Sequence, residues 1–197
     1  MKKALSALAL AFLTFCPLSS PAADMEQLEQ LVHQAFGHQE RMCVAIDALN
    51  REIALHPEDE KLLELRISAY GALGDPYSSR PDVHALAELH PDSPAHQLKK
   101  CMIDEATGME EEACRLCYMN VAKLCERKGR TESDEYLLAL LLAGSPRAEE
   151  AKQRFLARMS DSPGDRRLSY LVTHFSRDML VGRVERRFVR NPCPAQK

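Results

Sequence analysis

The sequence predicts an all-α fold, an α-solenoid of about four helix–turn–helix repeats followed by a C-terminal capping helix. The triplet Leu-His-Pro occurs at positions 55–57 and again at positions 89–91. The two prolines are thus separated by about 34 residues, a period typical of helix–turn–helix repeats. Between the triplets, positions 62–75 carry apolar side chains at helical spacing and end in Gly74-Asp75. Alternating β-type patterns are almost absent from the chain.

The segment 1–23 has the features of a secretory signal peptide. Lys2 and Lys3 precede an apolar stretch, positions 4–15, which is followed by prolines and small residues. A membrane-spanning helix would need roughly 20 apolar residues, so this stretch is too short for one. We therefore expect the segment 1–23 to be removed and the remaining chain, 24–197, to be exported to the periplasm or secreted.

Applying the same repeat period to the rest of the chain predicts the positions of the other repeats. The repeats then occupy positions 26–59, 60–93, 94–131 and 132–165, within a domain spanning 24–182. The third repeat is longer than the others by about one helical turn, because Pro163 comes later than two further periods after Pro91 would place it. The residues predicted to pack between helices are Phe36, Ala45, Ala113, Ala139, Leu142, Ala151 and Phe155.

Two proline-containing regions modify this scheme. Pro81 lies inside the second helix of repeat two, which should therefore start late. The chain ends in a basic, proline-containing tail, positions 183–197, which we expect to be extended. Before this tail, positions 165–181 form a capping helix with one apolar stripe. The stripe comprises Leu168, Leu171, Val172, Phe175, Met179 and Leu180.

The second repeat resembles a tetratricopeptide (TPR) repeat, with Tyr70 about one turn before the helix end and Pro91 as its closing residue. When the period of the second repeat is extended to the other repeats, the resemblance covers about 140 residues. Sel1-like repeats, which share the architecture, are the alternative. The resemblance implies a concave face, built from the first helices, that binds another protein or peptide. The residues expected on that face are Lys61, Glu64, Ser68, Leu98, Met102, Glu105, Tyr136 and Leu140. The alternative is that they pack against neighbouring repeats.

One of the seven cysteines, Cys16, lies in the signal region. It could mark a lipoprotein, but the bulky Phe15 before it makes this the less favoured interpretation. The other six cysteines are an even number in an exported chain, which predicts disulfides. They are Cys43, Cys101, Cys114, Cys117, Cys125 and Cys193.

The repeat register favours one disulfide pairing. Folding a hairpin near positions 107–109 brings Cys101 opposite Cys117, with Cys114 as the near alternative partner. The pairing of the remaining cysteines is left open. A redox role for Cys114 and Cys117 is weaker, because three glutamates precede them and would raise a thiol pKa. Zinc, with Cys101 or Cys125 as further ligands, is equally weak, because there is neither a second such pair nor a nearby histidine.

Charge and motifs limit the function classes. Removing Lys2 and Lys3 leaves 26 − 2 = 24 basic against 29 acidic residues, a net charge of −5, which gives no basic face for nucleic acid. Membrane contact is expected, if at all, through the basic tail, where four arginines occur between positions 183 and 190. No hydrolase, phosphate-binding or metal-binding motif occurs, so we expect neither catalysis nor a cofactor or metal.

The predicted function is an exported, disulfide-stabilised adaptor of the bacterial periplasm or envelope, which binds another protein without catalysis. An immunity or inhibitor protein that neutralises a toxin is the first alternative. A thiol–disulfide oxidoreductase is the second. The sequence leaves the partner and the oligomeric state open.

Overall fold

A computed structural model describes residues 25–160, 162–177 and 192–193. These residues form nine α-helices and no strand. The helices are α1 (Met25–Ala35), α2 (Gln39–Leu55), α3 (Glu60–Ala72), α4 (Pro76–Leu89), α5 (Pro94–Ala106), α6 (Glu111–Arg127), α7 (Asp134–Leu142), α8 (Ala148–Ala157) and α9 (Pro163–Thr173). The predicted signal peptide and most of the predicted tail lie outside the described residues.

Each helix from α1 to α7 packs against the next one in the chain. The result is four helical hairpins, α1–α2, α3–α4, α5–α6 and α7–α8, followed by α9. The first helices of neighbouring hairpins also meet, since α1 contacts α3 and α5 contacts α7. The predicted all-α array of helix pairs is therefore confirmed.

A glycine turns the chain within every hairpin. Gly37, Gly74, Gly108 and Gly144 have φ values of 80°, 69°, 109° and 62°. A side chain is disfavoured in this left-handed region, which explains why glycine ends the first helix of each pair. The closing hydrogen bonds also recur: a backbone N–H just after the glycine donates to a carbonyl five residues back after α3, α5 and α7.

The turns between hairpins repeat the same geometry where the Leu-His-Pro triplets occur. His56 has φ −133° and ψ 68°, and His90 has φ −124° and ψ 64°. The carbonyl of each accepts a hydrogen bond from the backbone N–H three residues on, at Asp59 and Ser93, both at 3.1 Å. The recurrence of the triplet in the sequence is thus also a recurrence of backbone structure.

Buried apolar side chains form two separate clusters among the described residues. The N-terminal cluster joins α1 to α4, and its fully buried members include Met42, Ala45, Leu49 and Leu86. The C-terminal cluster joins α5 to α9 and includes the Tyr118 ring as its largest fully buried side chain. The array therefore consists of two hydrophobic halves.

Charged side chains lie where these halves meet, between α4 and α5. Asp104 is buried, and its Oδ1 lies 2.8 Å from Arg80 Nε and 2.7 Å from His84 Nε2. Lys100 Nζ lies 3.3 Å from Asp104 Oδ2. Burial alone would raise the pKa of Asp104, but the hydrogen bonds from Arg80, His84 and Lys100 outweigh it and lower the pKa. The junction is thus held in part by ionic contacts.

The expectation that Pro81 delays the second helix of repeat two is wrong. Helix α4 begins at Pro76 and continues through Pro81. The Asp75 carboxylate accepts the backbone N–H of Ser78 at 3.1 Å and so caps the helix, while Pro76 supplies the φ angle of the first turn. These contributions outweigh the one helical hydrogen bond that Pro81 cannot donate.

Most predicted packing residues are buried, including Ala45, Ala139, Leu142, Ala151 and Phe155. Ala113 is exposed instead, because α6 turns the next residue, Cys114, into the core. The capping helix ends earlier than predicted, at Thr173. Within it Val172 is buried whereas Leu171 is exposed. The stripe residues Met179 and Leu180 lie outside the described residues.

Candidate protein-binding surface

The predicted concave face is only partly a surface. Lys61, Glu64 and Ser68 on α3 are exposed, and Met102 on α5 is half-buried. The other four predicted residues are buried: Leu98, Glu105, Tyr136 and Leu140. Their prediction as exposed binding residues is wrong. Leu98, Tyr136 and Leu140 belong to the hydrophobic cluster of the C-terminal half, which agrees with the alternative that they pack against neighbouring repeats.

The first helices of the N-terminal half do leave a cleft open. It lies between α1 and α3, has a volume of ≈ 530 Å³, and includes the predicted residue Ser68. The other lining residues are Glu29, Gln30, Val32, His33, Gln34, Phe36 and Leu65. Seven of the eight lining residues were not among the predicted binding residues, and most of them belong to α1.

Phe36 is the most informative of these residues. The sequence places it one turn after Val32, in the stripe that packs against neighbouring helices, yet the residue is 54% exposed. Helix α1 ends at Ala35, and Gly37 turns the chain directly afterwards. The Phe36 side chain therefore leaves the buried stripe and lies at the cleft instead.

The cleft has an apolar base and polar edges. Val32 is buried beneath it and Leu65 is half-buried. Glu29 and His33 lie along α1, and the Gln30 side chain donates a 3.3 Å hydrogen bond to Glu26. These groups can accept and donate hydrogen bonds, while the apolar base can cover an inserted side chain.

Glu105 is buried and makes structural hydrogen bonds, so it does not lie on the surface. Its carboxylate accepts a hydrogen bond from the Tyr118 hydroxyl at 2.7 Å and another from Arg177 Nε at 2.8 Å. Burial, together with the hydrogen bond to Glu105, raises the pKa of Tyr118, which therefore stays protonated. Glu105 thus joins α5, α6 and the segment after α9.

The predicted bridge between Cys101 and Cys117 is confirmed, with Cα atoms 5.8 Å apart. A second disulfide joins Cys43 to Cys193 with Cα atoms 5.3 Å apart and a sequence separation of 150. The Gln39 side chain donates to the carbonyl of Pro192 at 2.7 Å, beside this disulfide. The end of the chain is therefore fixed to the start of α2.

Cys114 and Cys125 are buried thiols, so the prediction that all six cysteines form disulfides is wrong for these two. Cys117 is bonded to Cys101, which leaves the Cys114 thiol to donate to the carbonyl of Met109 at 3.4 Å. Burial raises the pKa of the Cys125 thiol and disfavours the reactive thiolate. Over the residues described, no group of three or more His, Cys, Asp or Glu is arranged to hold a metal ion.

Comparison of the chain with protein-family models, with curated proteins and with solved structures gives no match.

The two disulfides indicate an oxidising environment outside the cytoplasm. Across residues 25–160 and 162–177, none of the helices combines the length and the apolar character needed to cross a bilayer.

Proposed function

We propose that this protein is a TPR-like adaptor that binds a segment of another protein without catalysis. The observation that supports the proposal is the cleft between α1 and α3, formed by the first helices of two neighbouring hairpins. Its ≈ 530 Å³ volume is within the range of ligand-binding clefts. An exposed aromatic ring at an open cleft is a typical anchor for a protein contact.

The repeat architecture supports this mode of action. Each helical hairpin buries one face against its neighbours and leaves the edge of its first helix available. The open surface is concentrated in the N-terminal half, where Phe36, Leu65 and Ser68 lie together at the cleft. In the C-terminal half, the corresponding first helices α5 and α7 bury Leu98, Tyr136 and Leu140. We therefore assign the binding site to the N-terminal half.

The bacterial periplasm or envelope is the proposed location. The disulfides require an oxidising compartment, and the features of the segment 1–23 are those of a secretory signal peptide.

The test is affinity capture from a bacterial envelope fraction with three baits: the chain from position 24 onward, its Phe36→Ala variant and its Val44→Ala variant. Val44 is the matched control, because it is apolar, 50% exposed and lies on α2 of the same hairpin. We expect a retained protein to be lost with Phe36→Ala and kept with Val44→Ala.

Equal retention by all three baits would contradict the assignment of the site to the cleft. Retention of a secreted toxin in a Phe36-dependent way would identify the function as inhibition instead of assembly.

A further inference from the structure

We infer that the cleft between α1 and α3 takes a basic segment of its partner, with lysine or arginine residues on either side of one large apolar side chain. This inference rests on the proposed function and specifies the chemistry of the partner. It follows from two properties of the cleft, its exposed apolar surface and the charges around it.

The apolar surface calls for an apolar anchor. Phe36 exposes half of its side chain at the cleft, above buried Val32 and half-buried Leu65. Removing such surface from water is favourable in proportion to its area. A Phe, Leu or Met side chain of the partner, placed against the Phe36 ring, would cover it.

The charges set the sign of the flanking residues. Glu29 lines the cleft, and Glu26 lies on the same helix with its carboxylate bonded to Gln30. On α3, Glu64 lies one turn before Ser68, and Lys61 lies one turn before Leu65. All four charged side chains are exposed, and together they carry a net charge of −2 (1 − 3). Carboxylates only accept hydrogen bonds, so cationic donors complement them and an acidic segment would be repelled.

The test uses three synthetic peptides of roughly 12 residues, each with one central Phe, and measures their binding to the chain from position 24 onward. The flanking residues are Lys and Arg in one peptide, Glu and Asp in the second, and Ser and Gly in the third. We expect the basic peptide to bind at least about tenfold more tightly than the other two. Its affinity should fall as salt rises from about 0.05 M to about 0.5 M.

Variants then connect this preference to the cleft. Glu29→Lys and Glu64→Lys should each lower the affinity for the basic peptide by about two- to fivefold, whereas Glu88→Lys should leave it unchanged. Glu88 is the matched control because it is an exposed glutamate on the second helix α4. Phe36→Ala should lower the affinity for every peptide that binds.

The outcomes separate the two proposals. Equal, Phe36-dependent binding of the basic and neutral peptides would overturn the basic class of partner and leave cleft binding in place. An equal effect of Glu88→Lys and Glu29→Lys would overturn the basic class too, because attraction to the whole acidic chain would then explain the preference. Binding of no peptide, or binding that is indifferent to Phe36→Ala, would overturn both proposals.

Discussion

The two halves of the array are built from the same helical hairpins but are stabilised differently. The N-terminal half, α1 to α4, has a cluster in which leucine is the commonest buried residue, and it leaves the cleft at Phe36 open. The C-terminal half, α5 to α9, contains a disulfide inside one hairpin and the buried contacts of Glu105. In this half the first helices bury Leu98, Tyr136 and Leu140, so the proposed binding surface lies in the other half.

This difference shows that a repeat period alone does not fix which repeat carries a binding surface. The first helices of both halves are similar in their place in the array, but their environment is not. The Cys43–Cys193 disulfide returns the end of the chain to α2, and Arg177 holds the preceding segment at Glu105. The C-terminal segment is therefore attached to both halves.

The largest expected effect separates the two disulfides. In the chain-entropy description, the Cys43–Cys193 loop of 150 residues stabilises by about 5 kcal/mol and the Cys101–Cys117 loop of 16 by about 3 kcal/mol. The double variants Cys43→Ser/Cys193→Ser and Cys101→Ser/Cys117→Ser should follow this order in the free energy of unfolding, measured with urea. The reverse order would show that loop length is not the dominant contribution.

The next effect concerns the buried carboxylate of the C-terminal half. Glu105→Ala should lower the free energy of unfolding by about 2 to 3 kcal/mol, because it leaves Tyr118 and Arg177 without their shared acceptor. The value is below that of a fully buried pair, since the Arg177 side chain is 30% exposed.

Glu112→Ala is the matched control for Glu105→Ala. Glu112 pairs with Arg115 on the exposed face of α6, so no measurable change in stability is expected. A similar loss in both variants would argue against a special role of the buried contacts.

A smaller, pH-dependent effect is expected at the junction of the halves. The pKa of Asp104 is lowered in the folded state, so its contribution to stability is present above its unfolded pKa, about 3.9, and is lost as the pH falls through the folded value. Asp104→Asn should cost about 1 to 2 kcal/mol at neutral pH. Arg80, His84 and Lys100 are partly exposed, and water screens their contribution.

The difference between Asp104→Asn and the wild type should shrink toward acid, where the wild-type carboxyl group is also neutral. Urea unfolding of both proteins at neutral and acidic pH measures it. A difference that is constant over this range would exclude the charge of Asp104 as its cause.

The smallest effect is chemical. In the oxidised chain from position 24 onward, Cys114 and Cys125 are buried thiols, and burial raises the pKa of Cys125. Iodoacetamide should therefore label neither in the native protein at neutral pH, and should label two cysteines after unfolding without reductant. Rapid native labelling would revive a redox function, and labelling of none after unfolding would contradict the disulfide assignment.

The features that were predicted correctly from the sequence are those set by residues close together in the chain. The Leu-His-Pro triplets indicated the repeat period, Gly74 marked a hairpin turn, and folding one hairpin placed Cys101 beside Cys117. These predictions succeeded because turn geometry and helix pairing are set within one repeat.

Features that depend on distant parts of the chain were not predictable in this way. The Glu105 carboxylate accepts a hydrogen bond from an arginine 72 residues away, and the partner of Cys43 lies 150 residues away. Phe36 had the spacing of a packing residue, but the end of α1 one residue earlier turned it to the surface. The spacing of apolar residues predicts neither where a helix ends nor which neighbouring element covers it.

The most direct test of the central claim, that the α1–α3 cleft binds a protein, is site-specific photocrosslinking in a bacterial envelope. A photoreactive amino acid is placed at Ser68 in the cleft, or at the exposed Arg51 on α2 as a control. We expect a defined adduct with another protein from position 68 and none from position 51. An adduct from position 51 alone, or none from position 68, would contradict it.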